Sequence, residues 1–151
     1  MSASPAQLDE LLAHCMDFAR TLLSDAGDFD PFGATLSAQG KVEPVGGNTG
    51  DEPPAPQEIY KLLLQACAAG AAQGKYLGTA LAANVNIPAQ YSPAYPDGVR
   101  VHLESPGHSR FVYLPYRIVR QGMFTKKFTV EYAEPLSVDT KPVCFRAGTG
   151  S

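Results

Sequence analysis

The chain has 151 residues, a formal charge of −3 and a sequence pI near 5.5. That length predicts one domain, large enough to bury roughly 70% of its unfolded surface without disulfides or metals. With 44% hydrophobic and 18% charged residues, disorder of the whole chain is excluded, and scattered basic residues with one adjacent pair, Lys126-Lys127, speak against nucleic acid.

The first predicted element is a helix. Ser4 can cap it, Pro5 suits its first turn, and Gln7 completes an S-x-x-Q capping box. Leu8, Leu11, Leu12, Cys15, Phe18, Ala19, Leu22 and Leu23 recur at spacings of three and four, a stripe for a core. Gly27 supplies a C-terminal stop. Asp28 to Gly33 is a turn-rich link carrying Phe29 and Phe32, whose rings beside Pro31 fit the clamping of a loop onto a core. Ala34–Ala38 and Lys41–Val45 read as a hairpin around Gln39-Gly40.

Gly46 to Pro54 carries no apolar period and reads as a loop. It is glycine-rich before a helix, but no lysine follows and Asp51-Glu52 would repel phosphate, so a phosphate loop is disfavoured. A second helix should begin near Pro56, with Ile59, Leu62, Leu63, Ala66, Cys67 and Gly70 on one face. Its small-sided end, Ala68 to Ala72, suits close packing. Tyr76–Ile87 reads as a long strand and Pro88–Pro96 as a loop. In the strand after Asp97-Gly98, Val99, Val101 and Leu103 alternate with Arg100, His102 and Glu104. Ser105-Pro106-Gly107-His108 turns the chain back into Arg110–Val119, where Pro115 demands a sheet edge or a bulge. Phe124, Lys126, Phe128, Val130 and Tyr132 form the next alternating set, Val143–Phe145 is a candidate last strand, and Arg146–Ser151 reads as a tail.

The order α-β-β-α-β-β-β is too poor in strand–helix alternation for a doubly wound sheet. The expectation is an α+β fold: two helices packed on one face of a five-stranded, mainly antiparallel sheet, a single domain over 1–145 with a flexible tail over 146–151. Such an order resembles the roadblock and profilin-like arrangements, an analogy of fold that carries no function.

The motifs Phe29-Asp30-Pro31-Phe32-Gly33-Ala34 with Gly40-Lys41-Val42, and Asp97 to Glu104 with Val112-Tyr113-Leu114-Pro115-Tyr116, resemble those of a family of small uncharacterised bacterial proteins. The family pattern is an F-x-P-F-G-like turn followed by an L-P-Y-like strand. The resemblance covers about residues 8 to 132 and departs at Asp30, where an aromatic is commoner. It implies no activity, so no functional residue is transferred.

Candidate chemistry is sparse. Cys15, Cys67 and Cys144 are widely spaced and odd in number, which fits reduced, core-packing thiols. His14 adjoins Cys15, but helix neighbours point about 100° apart, so they form no catalytic pair. Asp25, Asp28 and Asp30 fit helix termination and turn bonding better than a calcium loop. His102 and His108 in one hairpin do not specify a metal site, and an exposed structural role is expected for both. No catalytic residue, metal or cofactor is expected.

Tyr91, Tyr95, Tyr113 and Tyr116 are the candidate partner-binding residues, since tyrosines offer large contact area at low rotamer cost. Asp30, His102 and Glu104 are the candidate ligand-binding residues, if they converge on a cleft. The leading expectation is a non-enzymatic protein-interaction module, regulatory, accessory or toxin-neutralising, binding a protein or a second copy of itself. The alternative is a small-molecule-binding protein or enzyme with a cleft near the 28–33 and 88–96 loops. Met1 to Pro5 has neither the basic start nor the apolar core of a signal peptide, no apolar run reaches ~20 residues, and neither helix is basic. A cytoplasmic protein without membrane association is expected.

Overall fold

The computed structural model describes residues 3–46, 55–120 and 128–146. Helix α1 (Pro5–Ala26) starts on the capping box read from the sequence. The Gln7 backbone N–H donates to Ser4 Oγ at 3.1 Å, and the Ser4 N–H donates to Gln7 Oε1 at 2.9 Å. It stops at Gly27, whose φ of +75° lies in the left-handed region and whose N–H reaches the Leu23 carbonyl at 2.8 Å. Leu8, Leu11, Cys15, Ala19 and Leu23 are buried along one stripe, while Phe18 sits on its flank, 42% exposed.

Among the described residues seven strands follow in chain order: β1 (Phe32–Ser37), β2 (Val42–Val45), β3 (Tyr76–Asn86), β4 (Asp97–Ser105), β5 (His108–Arg120), β6 (Phe128–Tyr132) and β7 (Leu136–Asp139). Helix α2 (Pro56–Ala72) lies between β2 and β3. The sheet runs β2-β1-β3-β4-β5-β6, β7 also pairs with β5, and every pairing is antiparallel. The α+β class therefore holds, but where five strands are expected the described residues form seven. β7 went unread, and Val143–Phe145 is not a strand. Of the expected set 124–132, residues 124–127 lie outside the described residues, as do 47–54 of the expected loop and 147–151 of the expected tail.

The helices are not on one face. Ala80 and Ala82 of β3 pack in the α1 cluster with Leu11, Leu36, Val101 and Leu114, whereas Leu81 packs with Ile59, Leu63 and Cys67 of α2. Neighbours in a strand point to opposite sides, so α1 and α2 cover opposite faces of the sheet. The physical reason lies in β3, which is apolar on both sides, as a strand shielded on two faces must be. Period two also breaks at its start. Leu36 pairs with Gly78 and Ser37 with Tyr76, so Leu77 is an extra residue that joins the α1 core while Tyr76 turns towards α2. There the Tyr76 ring lies so close to Gly70 that a Cβ on the glycine would come within 2.3 Å of it. Only glycine allows this approach.

Pro115 sits neither at a free edge nor in a bulge. β4 pairs along one side of β5, and on the other side β7 pairs with 110–113 and β6 with 116–120. The Pro115 carbonyl accepts the Ala133 N–H at 2.9 Å on that second side. A strand residue projects its N and C=O to the same edge, so the donor that proline lacks falls where β7 gives way to β6. Among the described residues no helix is long and apolar enough to cross a membrane.

Candidate functional site

Alternation in β4 sends Val99, Val101 and Leu103 into the α1 core and leaves Arg100, His102 and Glu104 on the α2 face. The sequence predicts an exposed His102. Instead His102 is 4% and Glu104 1% exposed, because α2 and the segment after β7 cover this face as well. Glu104 is satisfied by backbone. Its carboxylate accepts N–H groups from Val143 at 2.8 Å, Cys144 at 3.1 Å and Phe145 at 3.5 Å. That carboxylate is what holds 143–145 against the sheet, in place of a strand ladder. His102 Nε2 lies 2.9 Å from Ser109 Oγ and 3.6 Å from Glu104 Oε2. Burial holds the imidazole below its ordinary value, with Arg100 adding to the effect and Glu104 opposing it. His102 is therefore neutral around pH 7.

The three cysteines are free and buried. Burial pushes Cys15 and Cys144 up to about 12 and Cys67 to about 11, which disfavours the thiolate in all three. Among the described residues no group of three or more His, Cys, Asp or Glu is arranged to hold a metal ion. The cavity beside Glu104, about 630 Å³, is lined by Ala68, Ala72, Pro106 and Cys144 among others, but by neither His102 nor Glu104.

Asp30 is exposed and does not join that pair. It lies on the 28–31 loop, in the wall of a second cavity of about 490 Å³ that the α2 start (Pro56, Gln57, Tyr60) and the strand residues Ala83, Val85 and Arg100 complete. Arg100 is the β4 residue that reaches this cavity. Its guanidinium carbon stands 4.6 Å from the Phe111 ring centroid and 5.4 Å from that of Tyr60. Its Nε is buried without a hydrogen-bond partner. Burial raises the Tyr60 phenol above its ordinary value, opposed by the charge of Arg100 and a hydrogen bond to it. No known protein family, curated protein or solved structure matches the chain. The loop carrying Asp30 is pinned to the sheet. Asp28 Oδ1 accepts the Phe29 N–H at 2.8 Å and Asn84 Nδ2 at 2.7 Å, and Tyr116 Oη donates to Asn84 Oδ1 at 2.7 Å.

The four tyrosines do not form one patch. Tyr113 and Tyr116, 6% and 5% exposed, point to opposite faces of β5. The Tyr91 ring lies tilted 5.7 Å from that of Tyr113, and the Tyr95 ring lies 5.4 Å from the Arg117 guanidinium. Arg100 and Tyr60 are the cavity residues that sequence reasoning missed. Arg100 was visible as one of three polar residues in an alternating strand, but Tyr60 gave no signal, because only the docking of α2 brings it to β4.

Proposed function

We propose that the chain is a small-molecule-binding protein that does not turn its ligand over. Its site is the cavity between the 28–31 loop, the start of α2 and the ends of β3 and β4. The observation that carries this reading is a guanidinium held between two aromatic rings in the wall of a concave space of about 490 Å³. Ligand cavities commonly span ~300–1,000 Å³, mostly apolar with a few placed polar groups. Groups with chemistry to offer elsewhere are engaged inside the fold: His102 with Ser109, Glu104 with 143–145, the thiols in the two cores. The test is a metabolite screen by thermal shift on wild type and Ala83→Leu, which fills the cavity floor. A native-state ligand at 100 times its Kd adds about 2.7 kcal/mol of stability. Hits should vanish in the variant. A screen whose hits are all indifferent to Ala83→Leu sinks the reading.

A protein-interaction role, including self-association, is the second reading, and one observation favours it. Phe18, 42% exposed, lies with its ring 4.7 Å from Phe32 beside an apolar groove of about 480 Å³ that also takes in His14, Leu22 and Val45. Light scattering across a concentration series tests self-association, and a strict monomer at every concentration removes it.

A further inference from the structure

Opposite charges line the proposed ligand cavity without meeting. Arg100 enters from the strand floor, and Asp28 and Asp30 stand in the loop wall. Among the described residues Arg100 makes no ion pair with any carboxylate. Hydrogen bonding to the Tyr60 and Tyr113 phenols and cation–π contacts with Tyr60 and Phe111 cushion its charge but neutralise nothing, and its buried Nε has no acceptor. A half-buried guanidinium with a buried, unpaired Nε favours an anionic group against its remaining donors. At the loop wall, the hydrogen bonds from Phe29 N–H and Asn84 Nδ2 both land on Asp28 Oδ1, leaving Oδ2 to accept another donor. Asp30 is exposed two residues further along the same loop.

This charge layout discriminates among ligands. A simple anion would pair with Arg100 but be repelled by two carboxylates in the same cavity, and a simple cation would meet the reverse. The rest of the lining is mostly apolar or aromatic, with Phe29, Pro31, Ala83, Val85 and the Tyr60 ring, beside the polar Gln57 and Asn84. We infer that the cavity takes a small amphoteric ligand, its carboxylate against Arg100, its ammonium against Asp28 and Asp30, and a short apolar linker between them. Such a ligand bridges the gap that separates the protein's own charges and leaves neither end unpaired. The inference rests on the cavity being a binding site and specifies what that site selects.

The experiment uses the full chain and three matched probes, 6-aminohexanoate, hexanoate and hexylamine, followed by calorimetry and by NMR shifts at 28–31, 56–60 and 83–85. The amino acids with four- and eight-carbon chains extend the series. The expected result is that at least one amphoteric probe binds about tenfold or more tightly than either singly charged probe, the size of one charge-assisted hydrogen bond. Asp30→Asn, a change at an exposed residue, should weaken the amphoteric probe severalfold and leave hexanoate no weaker. Arg100→Gln should bring it to the level of hexylamine. Equal binding of hexanoate and the amphoteric probes, or indifference to Asp30→Asn, overturns the amphoteric inference while leaving the cavity a binding site. If no amphoteric probe shifts the cavity resonances but a screened compound does, the inference falls alone. If nothing shifts them, both fall.

Discussion

On the face covered by α1, β4 presents Val99, Val101 and Leu103, and on the face covered by α2 it presents Arg100, His102 and Glu104. The first face is a dry core in which Leu11, Leu36, Val101 and Leu114 are 0% exposed. The second is just as enclosed around His102 and Glu104, yet it is polar, and it opens at one end into the Arg100 cavity. Burial is common to both faces; they differ in what burial requires. Apolar groups need only be removed from water, whereas each polar group must also find a partner. The α2 face meets that demand with the 143–145 backbone and Ser109, and falls short at Arg100 Nε and Thr79 Oγ1. Incomplete satisfaction is why we propose this face, and not the other, as the one that binds a ligand.

Four measurements break or sharpen this contrast. The largest effect belongs to the dry face. Leu11→Ala should cost about 3–5 kcal/mol in chemical denaturation, against about 2 kcal/mol for Leu63→Ala at the smaller α2 cluster; equal losses would erase the distinction between a main and a satellite core. Next, Glu104→Ala should cost about 3 kcal/mol by stranding backbone donors, with amide exchange at 143–145 accelerated, while Glu104→Gln loses roughly half as much. Unchanged exchange would mean that the carboxylate does not hold the segment.

The third effect depends on pH. The His102 pKa is lowered in the fold, so the unfolded chain binds its proton first. That contribution to stability is complete above the ordinary histidine value, ~6.5, and is lost as pH falls from there towards the lowered folded value. His102→Asn should flatten the stability slope just below pH 6.5, and an unaltered slope would place the titration elsewhere. The smallest effect is at the rim, where Arg117 pairs with Glu131 at 2.6 Å with both side chains about half exposed. Arg117→Ala should leave the denaturation midpoint within error, most clearly in 1 M salt.

Much of the α1 side was legible in the chain. Ser4, Gln7 and Gly27 act through bonds spanning three or four residues, so the helix and its ends follow from local sequence alone. The β4–β5 hairpin is equally local: Pro106-Gly107 joins Ser105 to its partner His108, with Gly107 at φ +84°. β7 escaped notice because Leu136–Asp139 is four residues long and becomes a strand only through pairing with 110–113. The tyrosines were legible as residue types but not as neighbours, since period two alone does not say which of two covered faces Tyr113 and Tyr116 enter.

The sequence by itself determined the helices, most of the alternating strands and the packing of the cysteines into the core, because capping, periodicity and composition act over a few residues. Tertiary structure alone decided that the helices lie on opposite faces, that His102 and Glu104 are buried together, and that Arg100, Tyr60 and Asp30 share one cavity. Those outcomes depend on contacts between residues far apart in the chain. Leu81 against α2 and Glu104 against 143–145 are set by which surfaces meet, a choice that no local window contains.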